Sequence, residues 1–155
     1  RQNRSSESYP GIRWWAQKKY VYYVLALCVA SIGFTVNQTI GQSLSWYKLP
    51  AGIAILCWGY SIYSGLYFLR YVISTLFAND TYLSITEGSH PEIGTNKQMQ
   101  KAAAQGVQQA MNSNSDKAMK LSKRQNALFF IGMTSFIIWH VLEMIHKTLE
   151  ILPTT

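Results

Sequence analysis

Three long apolar stretches organise the chain, and polar stretches separate them. "YVYYVLALCVASIGFTV" covers residues 20–36, and "AGIAILCWGYSIYSGLYFL" covers residues 51–69. The third, "NALFFIGMTSFIIWHVLEMI", covers residues 126–145 and is apolar as far as His140. A helix rises about 1.5 Å per residue, so about 20 residues cross a hydrocarbon core of about 30 Å. Buried helices of soluble proteins seldom run this far without polar punctuation. The pattern therefore predicts an all-α membrane protein with three transmembrane helices, at about 20–40, 51–71 and 126–146.

The polar stretches set the remaining boundaries. Residues 1–19 form a basic, aromatic N-terminal segment, and 20–77 a transmembrane helical hairpin. Residues 78–114 form a loop and an amphipathic helix. A single long helix is expected over 115–152, followed by a short tail at 153–155. The turn-rich "ANDTYLSITEGSHPEIGTN" predicts the loop. Ser113, Ser115 and Asp116 are candidate N-caps for the long helix.

Within "NKQMQKAAAQGVQQAMN", Met99, Ala102, Ala103, Gly106, Val107, Ala110 and Met111 recur at helical spacing. Ala102, Gly106 and Ala110 stack small side chains on one face, where another backbone can approach closely. Gln98, Gln100, Gln105, Gln108 and Gln109 lie on the other face. An uncharged glutamine face suits packing against copies of the chain, an aqueous vestibule, or a fold back onto the same chain. In the second span Gly59, Ser61, Ser64 and Gly65 similarly permit close helix packing.

Composition sharpens this picture. Only 14% of residues are charged, against about 25% in soluble domains. Net charge is +7, and its location is informative. Arg1, Arg4, Arg13, Lys18 and Lys19 precede the first span; Lys97, Lys101, Lys117, Lys120, Lys123 and Arg124 lie between the second and third. The other connection offers only Lys48, and the end of the chain only Lys147. The positive-inside rule then predicts an N-in, C-out protein of the plasma (inner) membrane, with residues 78–114 cytoplasmic. Trp14 and Trp15 beside Lys18 and Lys19 read as interfacial anchors. Because the chain opens on Arg1, a processed or trimmed form is expected. The first span is expected to be an uncleaved anchor, being longer than a signal h-region and lacking an A-x-A-like site.

Charged groups near the spans are few. Arg70 falls at the inner boundary, where it snorkels. Lys117, Lys120, Lys123 and Arg124 form a basic stripe suited to lipid headgroups or another anionic ligand. No aromatic residue interleaves with them, so no nucleic-acid partner is expected.

No phosphate-binding, dinucleotide-binding or nucleophile-elbow motif occurs, and no carboxylate pair stands at catalytic spacing. Cys28 and Cys57 form neither a disulfide framework nor a zinc site. "HVLEMIH" is not the H-E-x-x-H of zinc hydrolases. The chain is read as no enzyme, with no metal and no cofactor.

His140, Glu143, Lys147 and Glu150 share one helix stripe, with His146 at its edge. Counting from Ala127 puts His140 about 20 Å and Glu143 about 24 Å into the core. Asn37, Gln38 and Thr39 end the first span at the same depth. These polar surfaces form either a hydrated vestibule or a dry helix contact. Two functions are expected to compete. One is a homo-oligomer that forms or gates an ion-conducting pore or perturbs the membrane potential. The other is a non-catalytic accessory, anchor or sensor subunit whose cytoplasmic helices dock a soluble protein.

Overall fold

The computed structural model describes residues 10–41, 45–94 and 96–151, with side chains described over 17–41, 45–94 and 96–149. Among them there is no strand. The elements are α1 (Pro10–Thr39), a single 3-10 turn (Trp46–Lys48), α2 (Leu49–Thr86) and α3 (Lys97–Ile151). Three helices are long and apolar enough to cross a membrane, within Gln17–Thr39, Trp46–Thr86 and Lys97–Leu149. The chain is thus an all-helical protein with three candidate spans. Arg1, Arg4, Gln42, Ser43 and the tail at 153–155 fall outside the described residues. So do the side chains of Arg13, Trp14, Trp15 and Glu150.

Local chemistry accounts for the helix ends. Pro10 occupies the first helical position of α1, where its missing N–H costs nothing. Gly41, at φ 76°, follows the end of that helix. The end of α2 is a Schellman cap. Gly88 stands at φ 75° and donates to the Ile85 carbonyl at 3.2 Å, while Ser89 donates to the Ser84 carbonyl at 3.0 Å. Asn96 caps α3: its Oδ1 accepts from the backbone N–H groups of Gln98 at 3.1 Å and Met99 at 3.3 Å. Gln100 Nε2 then latches back onto the Gly94 carbonyl at 2.7 Å.

These caps move the expected boundaries. The second helix runs on to Thr86, so the loop is confined to residues 87–96. Ser113, Ser115 and Asp116 sit inside α3, which is continuous from Lys97. Asn79 and Asp80 are exposed, while Ala78, Tyr82 and Ile85 on the same helix are half-buried or buried. A packed face outweighs the weak helix propensity of the residues between.

The chain divides into two compact units. The first joins Arg1–Ile62 with Gln125–Thr155, and the second is Tyr63–Arg124. In the first, Val24, Cys28, Ala54, Trp58 and Phe129 form the core, with Ile32, Ile62 and Phe136 against it. In the second, the α2 and α3 segments form a hairpin whose buried side chains are Ser64, Phe68, Val72, Ile85, Ala118 and Ser122. Asn114 Nδ2 donates across that hairpin to Ser74 Oγ at 3.1 Å.

Candidate functional site

The polar groups of the first unit stand at two levels. At the upper level, α1 presents Gln38 and α3 presents His140, Glu143, Met144 and Lys147, and together they line a cleft of about 250 Å³. The α3 residues fall at i, i+3, i+4 and i+7, so the helix aims all four at one side. Glu143 is only 9% exposed. Lys147 Nζ lies 3.0 Å from its Oε1, one turn further along. The His140 ring is exposed and lies nearly parallel to Phe136, 6.2 Å away. His146, at the edge of the stripe, stacks on Tyr47 at 4.5 Å.

Asn37 and Thr39 belong to this level only in part. Asn37 is exposed and Thr39 half-buried. The Thr39 hydroxyl donates to the Thr35 carbonyl at 3.1 Å and the Val36 carbonyl at 3.0 Å. Thr35 does the same to Ser31, at 2.8 Å. Such bonds to the preceding turn let hydroxyls sit in an apolar helix without an external partner.

The second level was not expected. Ser61 Oγ donates to the Gln125 carbonyl at 3.0 Å, and Cys28 Sγ lies 3.6 Å from Ser61 Oγ. Cys28, Ser61 and Gln125 are all fully buried. Gln125 has no hydrogen-bond partner at either Nε2 or Oε1, and neither does Asn126 at Oδ1. Ser61, one of the small residues expected to permit close helix packing, is thus hydrogen-bonded and buried within its own chain. Gly65 is buried as well, while Gly59 is exposed with open space beside it.

Aromatic side chains fill the distance between the two levels. Trp58 and Phe136 lie 5.8 Å apart, Phe34 and Phe136 6.2 Å, and Phe136 and Trp139 5.5 Å. Gly132 makes room for this layer, since a Cβ there would meet Trp58 Nε1 at 2.6 Å. The indole N–H groups of Trp58 and Trp139 are buried without an acceptor. Buried polar groups in folded proteins nearly always find a partner, so this cluster of orphans within one bundle calls for an explanation.

Gln125 was legible in principle. It lies seven residues after Ala118 and three after Ser122, both buried, so it continues their face. Read as the polar flank of an apolar run, it passes for a boundary residue. Its depth depends on Ser61, which is 64 residues away.

In the second unit the small-residue stripe is open. Ala102, Gly106 and Ala110 are exposed, and a Cβ on Gly106 would meet nothing within 4 Å. Gln100, Ala103, Ala104, Val107 and Met111 are the half-buried residues of that stretch. Gln98, Gln105, Gln108 and Gln109 are exposed beside the stripe. Lys117 lies 5.8 Å from the Tyr71 ring, and Lys120, Lys123 and Arg124 are exposed. Both cysteines are free. Among the described residues no three His, Cys, Asp or Glu side chains come together. No protein-family model matches the chain, and no curated protein or solved structure matches it.

Proposed function

We propose that this is a multi-pass protein of the plasma (inner) membrane, N-in and C-out, that self-associates and conducts or gates ions without catalysing covalent chemistry. The observation that carries the reading is the set of buried, unpartnered polar atoms on Trp58, Gln125, Asn126 and Trp139, below a cleft lined by ionisable groups. Leaving an amide or indole N–H unpaired in apolar surroundings costs about 1–3 kcal/mol, and hydrocarbon supplies no partner. Water or a permeating ion entering from the cleft meets that need.

Cys28, Ser61 and Gln125 meet at one level of the first unit, and His140 and Glu143 lie about 22 and 27 Å further along α3, at 1.5 Å per residue. In this reading the cleft is the wetted outer mouth, and Gln125 lies toward the inner end of the path, next in the chain to the basic stripe that faces the headgroups. The aromatic layer around Phe136, between the two, serves as a hydrophobic constriction, of the kind that gates by dewetting.

Planar-bilayer recording of the purified, reconstituted chain tests this reading. Stepwise conductance is expected, altered by Gln125→Leu and by the His140→Ala, Glu143→Ala double variant. Absence of conductance at every voltage sinks the pore reading. A stable monomer in detergent counts against self-association.

The open Ala102, Gly106 and Ala110 face favours one alternative: an accessory subunit whose cytoplasmic hairpin docks a soluble protein. Such a chain passes no current in any lipid, and Gly106→Leu abolishes its docking.

A further inference from the structure

The polar cleft holds a pair of donors that conduction does not call for. Its α3 residues include the His140 imidazole and the Met144 thioether, with Glu143 between them and Lys147 further along the same side. His140 and Met144 stand at i and i+4, where Cβ atoms are about 5–6 Å apart. That is the spacing by which the two histidines of H-E-x-x-H hold one zinc ion. In "HVLEM", residues 140–144, a sulfur takes the place of the second histidine. The expectation of no metal rested on histidine, cysteine and carboxylate motifs, and a thioether lies outside them.

Both donors are accessible. Met144 is 61% exposed. His140 is exposed too, and the Phe136 and Trp139 rings, at 6.2 and 6.1 Å, steady its imidazole without using the ring nitrogens.

The donor types select the ion. Thioethers are soft ligands that take Cu(I), and imidazole accepts the same metal. Hard divalent ions require oxygen ligands, and the carboxylate in this cleft is engaged, with Glu143 Oε1 3.0 Å from Lys147 Nζ. A divalent ion must break that bridge and then face the freed ammonium. A soft monovalent ion takes the nitrogen and the sulfur and leaves the bridge, neutral as a pair, standing. The cleft volume of about 250 Å³ accommodates the ion together with a water as a further ligand.

We propose that the cleft is a binding site for one soft monovalent cation, Cu(I), held by the His140 imidazole and the Met144 thioether. Binding moves no electron, so Ag(I), equal in charge and similarly soft, serves as a redox-inert probe. The site requires only the geometry of α3, so it stands whether or not the cleft conducts.

The chain has five methionines, and isotope labelling of their methyl groups lets each be followed by NMR in the full chain in detergent. The Met144 signal is the one lost in Met144→Leu. Titration with Ag(I) is expected to shift that signal before the other methionines respond. Because the readout is residue-specific, silver taken up by Cys28 or Cys57 does not enter it. His140→Gln should require at least about tenfold more silver for the same shift, since even partners that merely orient a metal ligand are worth about 10–100-fold in affinity. Zn(II) at the same concentration should leave the Met144 methyl in place. A Met144 signal that moves no earlier than the other methionines, or that moves equally in His140→Gln, overturns the proposal. Zn(II) moving it as strongly as Ag(I) overturns the assignment to a soft ion. Should His140→Gln fail to fold, the His140 ring signals of the wild type decide: if they stay in place while the Met144 methyl shifts, sulfur binds silver alone and the pair is not a site. Bilayer recording reports on conduction separately, and absence of current leaves the binding result standing.

Discussion

The two units spend their polar residues in opposite ways. Among the described residues, every buried side-chain polar atom without a partner belongs to the first unit: Trp58, Gln125, Asn126 and Trp139. In the second, Asn114 bonds Ser74 and Gln100 latches the loop at Gly94. Their glycines differ in the same sense. Gly132 in the first is pressed against an indole, whereas Gly106 in the second faces open space. One unit is tightly interlocked yet chemically incomplete. The other satisfies its bonds across the hairpin and leaves a helix face bare. Incomplete hydrogen bonding inside apolar packing points to a guest; a bare face points to a neighbour.

Four substitutions test that contrast. The largest effect is expected from Gly132→Ala, whose methyl must displace the buried Trp58 ring. Overpacking of this kind costs about 1–3 kcal/mol, read as a lower unfolding midpoint in detergent. An unchanged midpoint means the first unit is looser than its contacts imply. Next comes Gln125→Met, which removes an unsatisfied amide at similar volume. It should raise stability by about 1 kcal/mol while reducing conductance, and a loss of stability instead means the amide already has a partner.

A smaller gain belongs to the second unit. Gly106→Ala relieves the helix penalty of glycine without meeting a neighbour, adding about 0.5–1 kcal/mol. If the variant is less stable, or its oligomer dissociates, the stripe is already in use. The smallest effect is that of Lys147→Ala. Lys147 is 66% exposed, and exposed pairs at i,i+4 contribute only about 0.3–0.5 kcal/mol. Its stability should barely move in thermal melts, so any large change in conductance reports the cleft rather than the fold.

Much of the helical content was legible because it is written locally. Twenty uncharged residues identify a helix capable of spanning whatever surrounds it. The stripe from His140 to Lys147 follows from 3.6-residue periodicity, and the cleft does contain Gln38, His140, Glu143 and Lys147 together. The misplaced boundaries have a common cause. "ANDTYLSIT" and "NSNSD" are rich in residues that favour turns, yet both are helical, because Ile85 and Ala118 within or beside them are buried in the hairpin. Propensity is a weak prior, and packing overrides it. Asn96 and Gly88 lay within the expected loop, but which of its several polar and glycine residues would cap depends on where the packed faces end.

The sequence by itself determined the number of candidate spans, their helical character and the one-sided polar stripe, since each depends on residues within a few turns of one another. Only the tertiary structure decided the levels at which the helices meet. Ser61 bonding the Gln125 carbonyl, Trp58 seated on Gly132 and Tyr47 stacked on His146 fix the register of α3 against its neighbours. That register buries Gln125 and sets Gln38 beside His140 and Glu143 in one cleft. No hydropathy window carries it, because it is set by the interlocking of side chains far apart in the chain.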